Sequence, residues 1–296
     1  MYQTSSIIRN STQAPLSNSM ISNSSSIGES AVTLTLVRAL ITTWSVVLES
    51  KNKGNVLTLS FNDEKTKNSI SANDWIEFRK QVKEFDESDL KYLVLSQSNG
   101  NFSSGAQLGE NLNALMDDVT DAAQALWDCR KPVISLVDGI CAGAGANMIL
   151  LSDFIIATPT ARFIEVFARR GLVVDFAGSW TLPRIIGVQK AKELMMTSEE
   201  ITGEEMNRLN MLYKMVEPSN LQDEASSLIE KLDKLSFISI CMNKEQIKNG
   251  LNKTFSDSLE LEGVNQKSRF IHSDAAEGML AFMDKRQPDY KNTLDV

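Results

Sequence analysis

Two loops built from small residues offer the clearest chemistry in this 296-residue chain. One contains Ser104-Gly105-Ala106, and the other runs from Gly139 to Asn147 through Cys141, Gly143, Ala144 and Gly145. Small side chains let a ligand approach the backbone, and the first N–H groups of a helix have no partner within it. Two such donors converging on one oxygen form an oxyanion hole. The alternative is that these glycines only serve tight turns or close packing.

The second loop does not have the pattern of a nucleotide-binding loop. Its glycines have the order G-x-x-x-G-x-G, which differs from the G-x-G-x-x-G order of dinucleotide-binding folds. No Gly-Lys-Ser or Gly-Lys-Thr follows, so it is not a P-loop either. The loop is therefore a candidate for anion or oxyanion stabilisation without a nucleotide cofactor.

The nucleophiles and metal ligands of the chain are few. His272 is the only histidine, which excludes a multi-histidine metal site and leaves one residue for any Ser–His–Asp triad. Cys129, Cys141 and Cys241 are far apart and odd in number, so we interpret them as buried thiols of a reducing compartment. We predict no metal and no separate cofactor. The chemistry must depend on carboxylates or backbone groups.

Composition sets the class of protein. The chain is 42% hydrophobic and 23% charged with a net charge of −8, which is typical of a globular protein and argues against nucleic-acid binding. Residues 1–28 lack Asp and Glu and are rich in Ser and Asn, so residues 1–49 are predicted to be a disordered or poorly ordered extension. The run from Ala31 to Leu48 contains Arg38 and several hydroxyl residues, so we predict no membrane span. We expect a cytoplasmic location, with mitochondrial or other organellar import as the alternative if residues 1–28 form a transit peptide.

The elements that must position the loops alternate between strands and helices. Alternating or continuous apolar residues predict strands at 56–61, 92–95, 133–137 and 154–157, and helical spacing predicts a helix that begins near Ser71. A helix ends near Trp127 and another opens at Gly143. This alternation indicates an α/β domain over residues 50–215, and residues 216–296 are predicted to be mostly helical.

Several motifs in one order resemble the enoyl-CoA hydratase/isomerase (crotonase) superfamily over roughly residues 50–290. The matching segments are Phe102-Ser103-Ser104-Gly105-Ala106, Lys131-Pro132-Val133-Ile134, Asp138-Gly139, Ala142-Gly143-Ala144-Gly145, Ser152-Asp153, Arg169-Arg170-Gly171-Leu172-Val173-Val174-Asp175, Leu182-Pro183-Arg184, Ala191-Lys192-Glu193-Leu194 and Glu277-Gly278-Met279-Leu280. The resemblance implies a spiral of ββα units and a helical C-terminal region that forms trimers or hexamers. It also implies an acyl-CoA thioester as substrate.

The resemblance assigns roles to particular residues. The backbone N–H groups of Ala106 and Ala144 would be the oxyanion-hole donors, with Gly105 and Gly143 beside them at the substrate. Phe282 and Lys285 match positions that contact the CoA nucleotide of a neighbouring subunit. The alternative for these two is the exposed end of an amphipathic helix.

The departures from the family pattern bear on the reaction. Hydratases of the family carry catalytic glutamates at the positions of Asn147 and Phe167, and neither residue here is a general base. Both remain predicted substrate contacts, and Asn147 is expected to face the cleft. Asp175 matches the single catalytic carboxylate of an isomerase branch that resembles the phenylacetate-pathway epoxide isomerase.

Asp175 has two interpretations. As a base, it would lie in an apolar setting of Val173, Val174 and Phe176 that raises its pKa. As a structural residue, it would be a turn residue or the N-cap of the helix that begins near Ala177. Glu165 is close to the expected pocket and is a candidate second acid, although a surface strand residue is the commoner interpretation.

These features favour an isomerase that moves a double bond through an enolate by means of Asp175. The alternatives are an enoyl-CoA hydratase or acyl-CoA hydrolase, and a non-catalytic acyl-CoA-binding subunit.

Overall fold

The computed structural model describes residues 48–108 and 111–291. In chain order the described strands are β1 (Leu48–Lys53), β2 (Val56–Phe61), β3 (Ser69–Ile70), β4 (Tyr92–Gln97), β5 (Gly105–Ala106), β6 (Val133–Val137), β7 (Ile140–Ala142), β8 (Phe154–Ala157), β9 (Arg162–Ile164), β10 (Glu200–Thr202) and β11 (Lys214–Met215). The described α-helices are α1 (Ala72–Glu87), α2 (Leu112–Asp128), α3 (Ala144–Ile149), α4 (Gly178–Ile186), α5 (Val188–Thr197), α6 (Gly203–Arg208), α7 (Leu221–Leu232), α8 (Phe237–Gly250), α9 (Phe255–Phe270) and α10 (Ser273–Asp284). Two short 3₁₀ helices span Val166–Arg170 and Pro218–Asn220.

The strands form a spiral of repeating units. The main sheet has the order β1-β2-β4-β6-β8-β11, with β1 antiparallel to β2 and the other neighbours parallel. After β2, β4 and β6 the chain forms a short strand outside that sheet and then a helix, which gives the units β2-β3-α1, β4-β5-α2 and β6-β7-α3. The predicted α/β spiral of ββα units with a helical C-terminal region is confirmed.

The central strands are buried on both faces, which explains their continuous apolar runs. One face packs against α1, α2 and α3 in a cluster that includes Trp75 and Leu126. The other face, which includes Tyr92 and Ile134, packs against α7 and the start of α8. The core therefore consists of two layers that hold the main sheet between them.

Local signals of the sequence explain where the first helix begins and ends. Ser71 caps α1 in a capping box with Asp74, and Phe78 and Phe85 bury the inner face. At the other end, the buried Lys131 ammonium donates to the Phe85 and Leu90 carbonyl oxygens, each at 2.8 Å. This cation thus satisfies carbonyl groups at the end of the helix.

The boundary of the N-terminal extension differs from the prediction. Leu48 and Glu49 belong to β1 and pair with Phe61 and Ser60 of β2. Residues 1–47, on which the predictions of disorder and of a transit peptide depend, lie outside the described residues.

Several polar or reactive side chains have structural roles. The three cysteines are free and buried, as predicted. Asp153 accepts from the Val133 N–H at 2.8 Å and pairs with Lys244 at 2.7 Å. His272 is half-buried and caps α10 by accepting from the Asp274 N–H.

Candidate active site

The two small-residue loops open into one cavity of about 550 Å³. Its walls include Gly105, Ala106, Gly143, Ala144, Phe167 and Asp175. The fold therefore brings together six of the predicted site residues from three separate segments. A cavity of this size is in the usual range for small-molecule sites.

Hydrogen bonds between successive units of the spiral hold the two loops side by side. The Ala142 N–H donates to the Ser103 carbonyl oxygen at 2.9 Å, and the Ser103 N–H donates to that of Ile140 at 3.0 Å. The Gly143 N–H donates to Ile164 of β9 at 3.0 Å. Each loop is thus an extension of a rigid strand.

Gly105 and Gly143 have backbone conformations that disfavour any other residue. Their φ angles are +99° and +55°, and a Cβ atom on Gly105 would lie 3.0 Å from the Ala142 carbonyl oxygen. The residues that follow them in the chain, Ala106 and Ala144, carry the two predicted oxyanion donors. Ala144 is the first residue of α3, where an N–H group has no partner within the helix.

The side chain of Asp175 lines the cavity, and its main-chain carbonyl oxygen accepts structural hydrogen bonds. Its carbonyl oxygen accepts from the Gly178 N–H and from the Asn147 amide, each at 3.0 Å. Its carboxyl Oδ1 is buried and has no hydrogen-bond partner among the described residues. The N-cap of α4 is Ala177, so the interpretation of Asp175 as a helix cap is wrong.

Burial raises the pKa of Asp175 to about 6, which supports the sequence-based expectation. The source of that burial differs in part from the prediction. Phe176 is buried and packs against Trp75, whereas Val173 is 86% exposed and does not shield the carboxyl group. Phe176 and Ala177 both have positive φ, a conformation that costs energy in residues other than glycine and is often found at functional sites.

Asn147 lies behind the cavity wall and not in it. Its side chain is completely buried and is absent from the lining residues, which corrects the prediction that it faces the cleft and contacts substrate. Its amide donates to Glu165 Oε2 at 3.4 Å as well as to the Asp175 carbonyl. Asn147 therefore donates hydrogen bonds to two residues that carry carboxyl groups.

Glu165 is also completely buried, so its interpretation as a surface residue is wrong. It directly precedes the 3₁₀ helix, and the strand pattern of the sequence contained no signal of its burial. Burial is the largest influence on its pKa, which is about 8. Two carboxyl groups with raised pKa values, one completely buried and one at the cavity wall, therefore belong to one cluster.

The residues that line the cavity are mostly apolar, and they include one acidic and one basic side chain. Asp175 is the only carboxyl group and Arg170 the only cation among the described lining residues. No role in the site was predicted for Arg170 from the sequence. Phe167 forms part of the wall at a position where hydratases of the resembled family have a glutamate.

Phe282 and Lys285 lie outside this cavity. Phe282 is exposed near the end of α10, and Lys285 is its left-handed C-cap. Their predicted contact with the nucleotide of a neighbouring subunit stays a prediction.

The described residues also limit other kinds of site. Across residues 48–108 and 111–291, no group of three or more His, Cys, Asp or Glu side chains is placed to hold a metal ion. In the same ranges, no helix combines the length and apolarity needed to cross a bilayer.

A cavity that brings the two predicted backbone donors together with one desolvated carboxyl group is suited to proton transfer next to a carbonyl. This is the class of site to which comparison with known proteins also points. The enoyl-CoA hydratase/isomerase family profile matches residues 51–293. The chain is 29% identical over 248 residues to a probable enoyl-CoA hydratase of Rhizobium meliloti (strain 1021), covering 82% of this chain and 96% of that one.

Two further similarities are informative. A 1,2-epoxyphenylacetyl-CoA isomerase of Escherichia coli (strain K12) is 27% identical over 256 residues, covering 82% of this chain and 97% of that one. The crystal structure of a putative enoyl-CoA hydratase from Streptomyces coelicolor A3(2) has the same fold, with a TM-score of 0.79, 24% identity and coverage of 85% and 96%. The chain belongs to the enoyl-CoA hydratase/isomerase family and is an enzyme of that type. An acyl-CoA substrate fits this family.

Proposed function

We propose that this enzyme moves a carbon–carbon double bond in an enoyl-CoA thioester, with Asp175 as the only proton-transferring side chain. The observation that carries this proposal is that Asp175 is the single carboxyl group among the described residues lining the cavity that contains Ala106 and Ala144. One carboxylate is sufficient for isomerisation because the group that accepts a proton in the first step becomes the acid that donates one in the second, with exchange against solvent in between.

The proposed reaction has two proton transfers. The thioester oxygen accepts hydrogen bonds from the Ala106 and Ala144 N–H groups. The Asp175 carboxylate removes a proton next to the thioester carbonyl of a 3-enoyl substrate, and the electron pair forms a dienolate. The same carboxyl group then donates a proton at the far end of the dienolate, which gives the 2-enoyl product.

Each wall of the cavity supports one part of this reaction. The backbone donors stabilise the negative charge on the thioester oxygen, an effect of about 3 kcal/mol per donor. A carboxyl group with a pKa of about 6 is ionised at neutral pH and is a stronger base than an exposed aspartate. Apolar side chains such as Ile164 and Leu172 line the cavity and help to keep it poor in water.

Hydration is the less favoured reaction for this site. In a hydratase of the family a second carboxylate would activate water at the position of Asn147 or Phe167. Here Asn147 is behind the wall, and Phe167 presents a phenyl ring to the cavity. The similarity to the epoxyphenylacetyl-CoA isomerase also supports the isomerase branch.

The test is to incubate the enzyme with a 3-enoyl-CoA in heavy water and follow double-bond migration and deuterium incorporation by NMR. We expect both in the wild type. Asp175→Asn, which keeps the shape but not the basicity, should lower the rate about 10²- to 10⁴-fold. The matched control is Asp117→Asn on the exposed face of α2, which should not change the rate.

Other outcomes would replace the proposal. A product that contains solvent oxygen would identify a hydratase or a hydrolase. Binding of CoA thioesters with neither exchange nor migration would favour a non-catalytic binding subunit. Wild-type activity that survives in Asp175→Asn would remove Asp175 from the mechanism.

We also propose that the chain forms a trimer or a hexamer. The support is the large apolar surface that helices α8, α9 and α10 leave exposed, including Phe255, Ile271 and Phe282. Light scattering after size-exclusion chromatography tests this, and a monomer at micromolar concentration would contradict it.

A further inference from the structure

A second carboxyl group lies behind the cavity wall and has no role in the reaction described above. We propose that Glu165 is a positioning residue for Asp175, acting through the Asn147 amide while its own carboxyl group is uncharged. This inference rests on the proposed function, because the importance of the position of Asp175 depends on its role as the base.

Two hydrogen bonds donated by one amide connect Glu165, Asn147 and Asp175. The Asn147 amide nitrogen donates to Glu165 Oε2 at 3.4 Å and to the Asp175 carbonyl oxygen at 3.0 Å. Both protons of that amide are therefore used. Glu165 determines which way the amide faces, and the amide in turn holds the main chain of Asp175.

Tight packing prevents the Asn147 amide from adopting another position. A Cβ atom at Gly178 would lie 2.2 Å from Asn147 Oδ1, so the first residue of α4 lies directly against the amide. Both Asn147 and Glu165 are completely buried. Because both side chains are shielded from solvent, a displacement of the Glu165 side chain should move the Asn147 amide and, through it, Asp175.

The surroundings of Glu165 favour its protonated form. Its Oε1 atom is buried without a hydrogen-bond partner among the described residues. The titratable groups that face it are Asp175, from the segment before α4, and the Cys141 thiol of β7. No cation in the described ranges is among the influences on its pKa.

The order of titration gives the two carboxyl groups different states at neutral pH. Burial raises the pKa of Glu165 to about 8, the Asp175 charge raises it as well, and the Asn147 hydrogen bond lowers it. The pKa of Asp175 is about 6. Between these values Asp175 is ionised and Glu165 is neutral, as expected for two interacting carboxyl groups that titrate in separate steps.

Ionisation of Glu165 should disturb the site. A second negative charge would then lie in a buried position beside the Asp175 carboxylate, where an unpaired charge is costly. The side chain would have to move or draw in water, and the amide that holds Asp175 would move with it. We therefore expect turnover to fall as the pH rises through about 8.

The first experiment does not depend on activity. Infrared difference spectroscopy during a pH titration should show a protonated carboxyl band at pH 7 that disappears with a midpoint near 8. The band should be absent in Glu165→Gln. In Asp175→Asn its midpoint should shift to lower pH, because the neighbouring negative charge is gone.

The second experiment uses the isomerisation assay. Glu165→Leu keeps the site apolar but cannot accept from Asn147, and it should lower kcat about 10- to 100-fold with a much smaller change in KM. Glu165→Gln, which resembles the neutral acid, should restore most of the lost kcat. Both variants should lack the alkaline fall of the wild type.

The outcomes separate this inference from the proposed function. If the protonated band is present and the wild type has no isomerase activity, the proposed function fails and the protonation of Glu165 stands without a positioning role. If isomerisation occurs but Glu165→Leu has wild-type kcat, or Glu165→Gln retains the alkaline fall, the positioning role is overturned. Absence of the band at pH 7 also overturns it.

Discussion

The two walls of the cavity are built in different ways. The donor wall consists of the backbone N–H groups of Ala106 and Ala144, whose positions depend on strand pairing and on two glycines with positive φ. The carboxyl wall consists of Asp175, whose carbonyl oxygen accepts a hydrogen bond from the buried Asn147 amide, which also donates to the buried Glu165. One wall is a property of the main chain, and the other is a property of side-chain packing and protonation.

This difference explains how each wall responds to change. An N–H dipole has the same strength at pH 5 and pH 9, and substituting a side chain does not remove it. The charge of a desolvated carboxyl group changes with pH, and a side-chain substitution removes the group. The donor wall should therefore fail only through backbone substitutions, whereas the carboxyl wall should fail through pH and through neutral side-chain replacements.

Within the donor wall, the largest effect is expected from Ala144→Pro, which removes one backbone donor. Proline is tolerated at the first position of a helix, so α3 should still form. The rate of double-bond migration should fall about 10²- to 10³-fold, or about 3 kcal/mol. Ala144→Gly keeps the N–H and is the matched control. Equal rates in the proline and glycine variants, with unchanged circular dichroism, would show that this donor is not used.

Glu165→Gln should make the protein more stable at neutral pH. The pKa of Glu165 rises from its ordinary 4.5 to about 8 on folding, so the wild type loses stability as the pH increases from 4.5 to 8. The variant lacks this loss and should gain about 3 kcal/mol at pH 7, with little difference at pH 4. Urea unfolding at the two pH values measures this. Glu84→Gln on the exposed face of α1 is the control, and identical pH trends for wild type and Glu165→Gln would contradict the prediction.

The acid side of the pH–rate profile should report Asp175. Only its ionised form removes a proton, so kcat/KM should increase about tenfold between pH 5 and pH 7, with a midpoint near 6. Ala144→Gly should keep the same midpoint because the donor wall does not titrate. A flat profile over this range would exclude a base with the pKa of Asp175.

The smallest effect is expected at Val173, two residues before Asp175. Because its side chain is 86% exposed, Val173→Ser should change the free energy of unfolding by less than about 0.5 kcal/mol and leave the migration rate as it is. Thermal unfolding and the standard assay measure both. A large loss of stability or of migration rate in Val173→Ser would mean that the carboxyl wall extends to the surface.

Much of the donor wall could be predicted from the sequence. The strands at 56–61, 133–137 and 154–157 have the predicted bounds, and the small-residue loops lie where strand ends meet in the spiral. Short-range rules are sufficient there, since apolar runs define strands and glycines define the turns between strand and helix. The short strands β3 and β10 were not predicted, because two- and three-residue segments have no periodicity to detect.

The carboxyl wall could be predicted only in part. Asp175 was identified through family resemblance, but its neighbours in the sequence did not reveal what buries it, since Phe176 packs inward and Val173 points outward. Asn147 was expected in the cleft and Glu165 on the surface, and both are buried behind the wall.

The sequence by itself determined an α/β domain with two small-residue loops, which depend on local backbone preferences and on apolar patterns within one segment of chain. The resemblance of its motifs to a known superfamily implied the spiral, the family and the residues that carry the two candidate donors. Only the tertiary structure decided the state of the carboxyl groups. Glu165 is 18 residues from Asn147, and Asn147 is 28 residues from Asp175, so their contacts arise when β9, α3 and the segment before α4 pack together. Burial and the pKa values that follow from it are properties of that packing, and no single segment of the sequence contains them.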